Sequence, residues 1–240
     1  MKLFVGCSGW FYWHWKGKFY PSKMKPNKWL EFYAKKFNAV EVNSSFYHWP
    51  KEANLKRWAK VVPNEFRFVL KANKQITHIK KLQNVKKLVR EFCGIASSLG
   101  EQLGCVLFQM PPSYKFSEKN LEKLKVIPEG SAIEFRHSSW FEEENFKIVK
   151  ENLKQNKQIF CIADAPRFPL LFVKTCRDVY IRFHGRQRWY AYNYSKAELE
   201  EVAKAIKKLK TARVFAFFNN DYNAYAPKNA LELKKIWQKI

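Results

Sequence analysis

The chain has 240 residues and a charge of +24, from 45 Lys and Arg against 21 Asp and Glu. That length holds one α/β barrel or two small domains. No apolar run nears the roughly 20 residues of a membrane span, and the opening Met1 to Gly6 is too short for a secretory leader, so a cytoplasmic protein with no membrane partner is expected. Five cysteines, Cys7, Cys93, Cys105, Cys161 and Cys176, show no paired metal-ligand spacing and read as reduced core thiols. Among them only Cys7, at a strand end, sits where a catalytic thiol could. Such a basic balance favours polyanions unless the charge is spread over solvated helix faces, so its location decides what it means. No linker, low-complexity tract or fixed-period repeat divides the chain, and one domain over 1–240 is expected.

In chain order, residues 3–7 form an apolar run stopped by Ser8-Gly9, followed by an unusually aromatic loop, Trp10 to Pro21, and a helical pattern over 28–37. A second strand, 39–43, places Glu41 and Asn43 on one face, and a helix spans 54–61. The third strand, 66–72, ends at Lys71 and Asn73, with Thr77-His78 in a basic loop before a helix over 85–98. The fourth, 105–109, closes on Gln109 and Met110-Pro111-Pro112 and leads to a helix at 117–124. In the fifth, Ile133 and Phe135 pack outward, so Glu134 and Arg136 share the inner face. Glu142 to Glu144 start the next helix, where acids suit the positive end of the dipole.

The sixth strand, 158–163, ends in Asp164 and leads into a short helix or irregular segment. The seventh, 179–184, carries Arg182 and His184 on one face; a capping box at Ser195 and Glu198 starts a helix to 209. The eighth, 213–218, ends in Asn219-Asn220-Asp221 before a helix over 224–237. Eight strand-loop-helix units with polar residues at each strand's C-terminal end predict a single (β/α)8 TIM-type barrel with its site at that mouth. An open doubly wound sheet would bring a glycine-rich phosphate turn after its first strand, where this chain has tryptophans.

Gly6-Cys7-Ser8-Gly9-Trp10, Phe19-Tyr20-Pro21, Glu41 to Tyr47, Lys71-Ala72, Thr77-His78, Phe108 to Pro112, Glu134 to His137, Arg182 to Gly185 and Phe218 to Asp221 together resemble the YecE-like family of domains of unknown function. The resemblance spans essentially the whole chain and implies a TIM-type barrel. It supplies no reaction, so function has to be read from the residues.

The inner upper layer is expected to gather Glu41, Asn43, Lys71, Asn73, Gln109, Glu134, Arg136, Asp164, Arg182, His184 and Asn220 or its neighbours. Converging acids, bases and amides suit general acid/base chemistry, with Glu134 as leading acid/base, Glu41 or Asp164 second, and His184 as proton carrier or orienter. An ion-pair network that fills a wide mouth is the plain alternative. Glu41, Glu134, Asp164, His184 and His78 could hold a divalent metal, but none has diagnostic spacing and three cations share their layer; no cofactor is expected. Lys71, Arg136 and Arg182 offer phosphate donors, and the loops interleave Lys16, Lys18, Lys23, Lys74, Lys80, Lys81, Arg186 and Arg188 with Trp10, Trp13, Trp15, Tyr20, Tyr47, Trp189, Tyr190 and Tyr194. Cations mixed with flat rings grip bases. The leading expectation is an enzyme acting on a phosphate-bearing small molecule or nucleic acid. A non-catalytic nucleic-acid-binding protein and a carbohydrate-active enzyme are the alternatives. His14, His48 and His137 read as structural.

Overall fold

The computed structural model describes all 240 residues. Strands β1 (Lys2–Cys7), β2 (Ala39–Val42), β3 (Arg67–Lys71), β4 (Leu103–Gln109), β5 (Ala132–Glu134), β6 (Ile159–Asp164), β7 (Asp178–Phe183) and β8 (Arg213–Phe218) form one parallel sheet in the order β1-β8-β7-β6-β5-β4-β3-β2. Helices α1 (Trp29–Lys36), α2 (Ser44–Tyr47), α3 (Glu52–Lys60), α4 (Lys86–Ser97), α5 (Glu118–Lys123), α6 (Glu143–Gln155), α7 (Lys196–Lys208) and α8 (Tyr225–Lys239) fill the connections. Residues 165–177 join β6 to β7 without a helix. The result is a nearly closed (β/α)8 TIM-type barrel.

The sheet meets itself between β1 and β2, where side chains stand in for the missing ladder. The Asn38 amide accepts from Val5 N–H at 2.9 Å and donates to the Leu3 carbonyl at 2.8 Å. The Tyr33 hydroxyl accepts from Cys7 N–H at 2.6 Å and donates to the Ala39 carbonyl at 3.1 Å. Backbone groups that would be buried unpaired are thereby satisfied. Gly6 makes the approach possible: a Cβ there would lie 1.9 Å from the Ala39 oxygen.

Period-two alternation sorts the strands' side chains. Val40, Val42, Ile133, Ile162, Ile181 and Val214 face the helices, within a large core shared with α1, α4, α7 and α8. Inside the barrel, Phe4, Ala39, Val69, Leu107, Ala132, Ile159, Tyr180, Phe215 and Phe217 make a dry plug. Directly above that plug the inward residues turn polar. α7 begins as its sequence signals, with Ser195 and Glu198 capping each other through both arms of the box.

Candidate functional site

The polar layer is built from β2, β5 and β7. Arg182 is fully buried and spans two carboxylates, Nη1 donating to Glu134 Oε2 and Nη2 to Glu41 Oε1, each at 2.6 Å. Tyr180, from the plug below, donates its hydroxyl to the other Glu41 oxygen at 2.6 Å. Arg136 Nε pairs with Glu134 Oε1, which also lies 3.1 Å from His184 Nε2. Glu134 therefore lies against three side-chain nitrogens and has no exposed surface.

Burial alone would raise the Glu134 carboxyl, but the adjoining Arg136 and Arg182 guanidiniums, with His184, outweigh it and hold the group well below the usual carboxylate range. His184 moves the other way: burial and the neighbouring Arg136 push its imidazole down to about 3, so it is neutral. Its Nε2 lies between Glu134 Oε1 at 3.1 Å and Arg136 Nη2 at 3.0 Å, and its Nδ1 lies 3.2 Å from the Asn219 amide nitrogen. Two carboxylates and two guanidiniums thus cancel in one buried knot.

Lys71 shares this layer but not the knot. It lies half-buried at the end of β3, its Nζ has no carboxylate within ion-pair reach, and it stands 4.1 Å over the Phe46 ring. Burial first, and then the charge of Arg182, lower its ammonium to about 7, a fall that Glu134 and Glu41 only partly oppose. His78 presses the same Phe46 ring edge-on at 4.8 Å, from a π-helical turn at Gln75–Ile79 where the sequence suggests an open loop. Burial and the charges of Lys71 and Arg136 lower this imidazole to about 4, so it is neutral as well. Gln109 pairs in register with Glu134 and is half-buried beside it. Arg136 closes the layer on the other side, its guanidinium 4.7 Å from the Trp189 ring centre. Asn73, inward by parity, is consumed locally, donating to the Ser45 carbonyl and accepting from Gln75 N–H.

Two residues expected in this layer lie outside it. Asp164 follows Ala163, which holds the inward position, and turns away to pair with Arg186 at 3.1 Å. Burial raises its carboxyl, a direction that Arg186 opposes. Asn220 sits behind the wall, donating to the Tyr192 carbonyl and to Asn229, both at 2.7 Å. Its neighbour Asn219 is the one that reaches His184, and alternation from Phe215 and Phe217 would have found it. Arg186 is also engaged by Glu198 and Glu201 and is not free for a ligand.

The rings divide as well. Trp15, Tyr20 and Tyr194 are buried in packing, Tyr20 stacking on Trp29 at 4.8 Å. Phe11, Trp13, Tyr47, Tyr190 and Tyr222 stand exposed on the loops after β1, β2, β7 and β8. Trp10 packs edge-on against Trp58 at 4.9 Å and lines a cleft of about 690 Å³ with Tyr12, Arg57 and Asn43. Asn43 joins the cleft to the mouth, two residues beyond Glu41, and donates to the Ser8 carbonyl at 3.2 Å. His14 pairs with Asp221 at 3.0 Å, and His137 accepts from Ser139 N–H. Cys7 is wholly buried and its thiol is pushed up, chiefly by that burial, so it is no nucleophile. No three His, Cys, Asp or Glu side chains gather as metal ligands, and Arg182 occupies the two carboxylates nearest such a role.

Comparison with known proteins follows the same architecture. A crystal structure of a DUF72 family protein from Thermotoga maritima superposes with a TM-score of 0.89 at 32% identity, covering 99% of this chain and 100% of that one. One from Enterococcus faecalis, at 24% identity and a TM-score of 0.85, shares the fold. The UPF0759 protein YunF of Bacillus subtilis is 27% identical over 268 residues, 98% of this chain and 94% of its own length. The UPF0759 protein YecE of Escherichia coli K12 is 35% identical over 85 residues, 35% of this chain and 31% of YecE. The family model described as "Protein of unknown function DUF72" matches residues 4–239, and the chain belongs to that family.

Proposed function

We propose that the C-terminal mouth binds a phosphate-bearing substrate, a nucleotide or nucleic acid, and acts on it by acid/base chemistry. The observation that carries this reading is Lys71: the knot beside it is neutral and leaves no free carboxylate, so whenever the amine is protonated the mouth carries a net positive charge. Such a floor prefers an anion, and Arg136 adds one guanidinium nitrogen, Nη1, at its edge. The +24 total is weak support, because much of it lies on exposed helix faces, where Lys56, Lys147 and Lys154 pair with glutamates of their own helix.

Roles shift with the geometry. Glu134, ionised and triply held, positions Arg136, Arg182 and His184 and is not the proton donor. Lys71 is the group whose protonation changes near neutrality, so it takes the acid/base role. Asn43, Gln109, His78 and Asn219 supply neutral polar contacts.

The exposed rings around the mouth favour a second reading, a non-catalytic nucleic-acid-binding surface on which bases stack. Isothermal titration with inorganic phosphate, adenosine monophosphate and a single-stranded oligonucleotide tests both. The enzyme reading expects phosphate and the nucleotide to bind in the mouth and to weaken at least about tenfold, about 1.4 kcal/mol, in Lys71→Met. Binding of the oligonucleotide alone, unchanged in that variant and falling steeply with salt, would favour the surface.

A further inference from the structure

The Lys71 amine has no acid partner of the kind that keeps most buried lysines protonated, and it is only partly open to solvent. Its Nζ lies against the face of Phe46 with no hydrogen-bonding partner, at the end of an inner strand where barrel enzymes carry their reacting groups. The charged and titratable groups around it are Arg182, Arg136, Glu134, Glu41 and His78. Both carboxylates are already neutralised by guanidiniums, and His78 is uncharged. A partly desolvated amine beside cations and without a carboxylate is an arrangement that favours lysine as a nucleophile.

We infer that Lys71 is a covalent catalyst that forms an imine with the carbonyl carbon of a phosphate-bearing aldehyde or ketone. The phosphate in this substrate class rests on the anion-binding reading above; the amine chemistry does not. The Nζ lone pair forms the new C–N bond. The carbonyl oxygen then leaves as water with the two protons of the amine, giving the imine without oxidant or reductant. Once protonated, the imine acidifies the neighbouring carbon: its C–H proton passes to water and the electron pair moves onto the imine nitrogen, giving the neutral enamine. Arg136, at the rim of the same layer, has its Nε on Glu134 and its Nη2 on His184, and Nη1 is the guanidinium nitrogen left to meet the phosphate.

The test is reductive trapping of the intact protein at pH 7.5 with cyanoborohydride, using glyceraldehyde 3-phosphate and, in parallel, glyceraldehyde. Peptide mass spectrometry reads occupancy lysine by lysine. At that pH an ordinary lysine is about a thousandth neutral, so Lys71 should exceed exposed Lys74 and Lys80 by at least about tenfold. Inorganic phosphate should suppress the phosphorylated adduct more strongly than the unphosphorylated one.

Labelling spread over surface lysines with Lys71 no higher than the rest would overturn the nucleophile, while phosphate binding measured separately would leave the anion reading standing. Equal labelling by both aldehydes, untouched by phosphate, would remove phosphate from the substrate class and the anion reading with it. Because competition is measured on the unaltered protein, neither outcome depends on a variant that might not fold.

Discussion

The floor of the barrel mouth has two sides that use charge differently. On the β2, β5 and β7 side, Glu41, Arg182, Glu134 and Arg136 are buried, short-bonded to one another and electrically closed. On the β3 side, Lys71 is half-buried, and its charge is met by the face of the Phe46 ring and by no carboxylate. A closed network is consistent with architecture alone, since each member is there to satisfy the others. A half-buried charge with no carboxylate partner costs stability and persists where something else is gained. The difference separates scaffold from reagent within a few ångströms of the same sheet.

Breaking the closed side should have the largest effect. Arg182→Leu strands Glu41 and Glu134 together and should lower unfolding free energy by about 3–5 kcal/mol. Denaturant titration checks it, and a loss below about 1 kcal/mol would mean the knot is not closed as described. Tyr180→Phe is milder, leaving one Glu41 oxygen without its donor at a cost of about 1–3 kcal/mol by the same measurement.

The open side should answer in the opposite sense: Lys71→Met removes a poorly solvated ammonium and should leave stability equal or higher. Its pH dependence sharpens the contrast. The folded-state value, about 7, lies below the unfolded one, so unfolded chains bind the extra proton between about 7 and 10.5. Wild-type stability should therefore rise relative to Lys71→Met as pH increases from 7 to 9.5. A difference flat with pH would contradict the assignment.

Much of this was legible in the amino-acid order. The apolar and polar alternation that put Glu134 and Arg136 on one face also set the strand count, and Ser195 with Glu198 announced their helix. Asp164 and Asn220 were misplaced for one shared reason. Each is a conspicuous polar residue at a strand end, and each is one residue out of phase with the inward Cys161 and Phe217. A shift of one residue flips a side chain across the wall.

The occupancy of Glu134 could not be read in advance, because Arg182 and His184 lie 48 and 50 residues away along the chain. Nor could the Asn38 and Tyr33 seam, since an asparagine after a helix and a tyrosine within one carry no local sign of such a partner. Lys71 reads from the sequence as one more anion holder; its isolation depends on Glu41 and Glu134 both being held by Arg182 from another strand.

The most direct measurement is the titration of the Lys71 side chain itself, by carbon-detected NMR at its Cε with and without inorganic phosphate, assigned against Lys71→Arg. The account predicts a midpoint about 7 in the free protein that climbs when phosphate enters the mouth. A midpoint near 10.5, unmoved by phosphate, would contradict it.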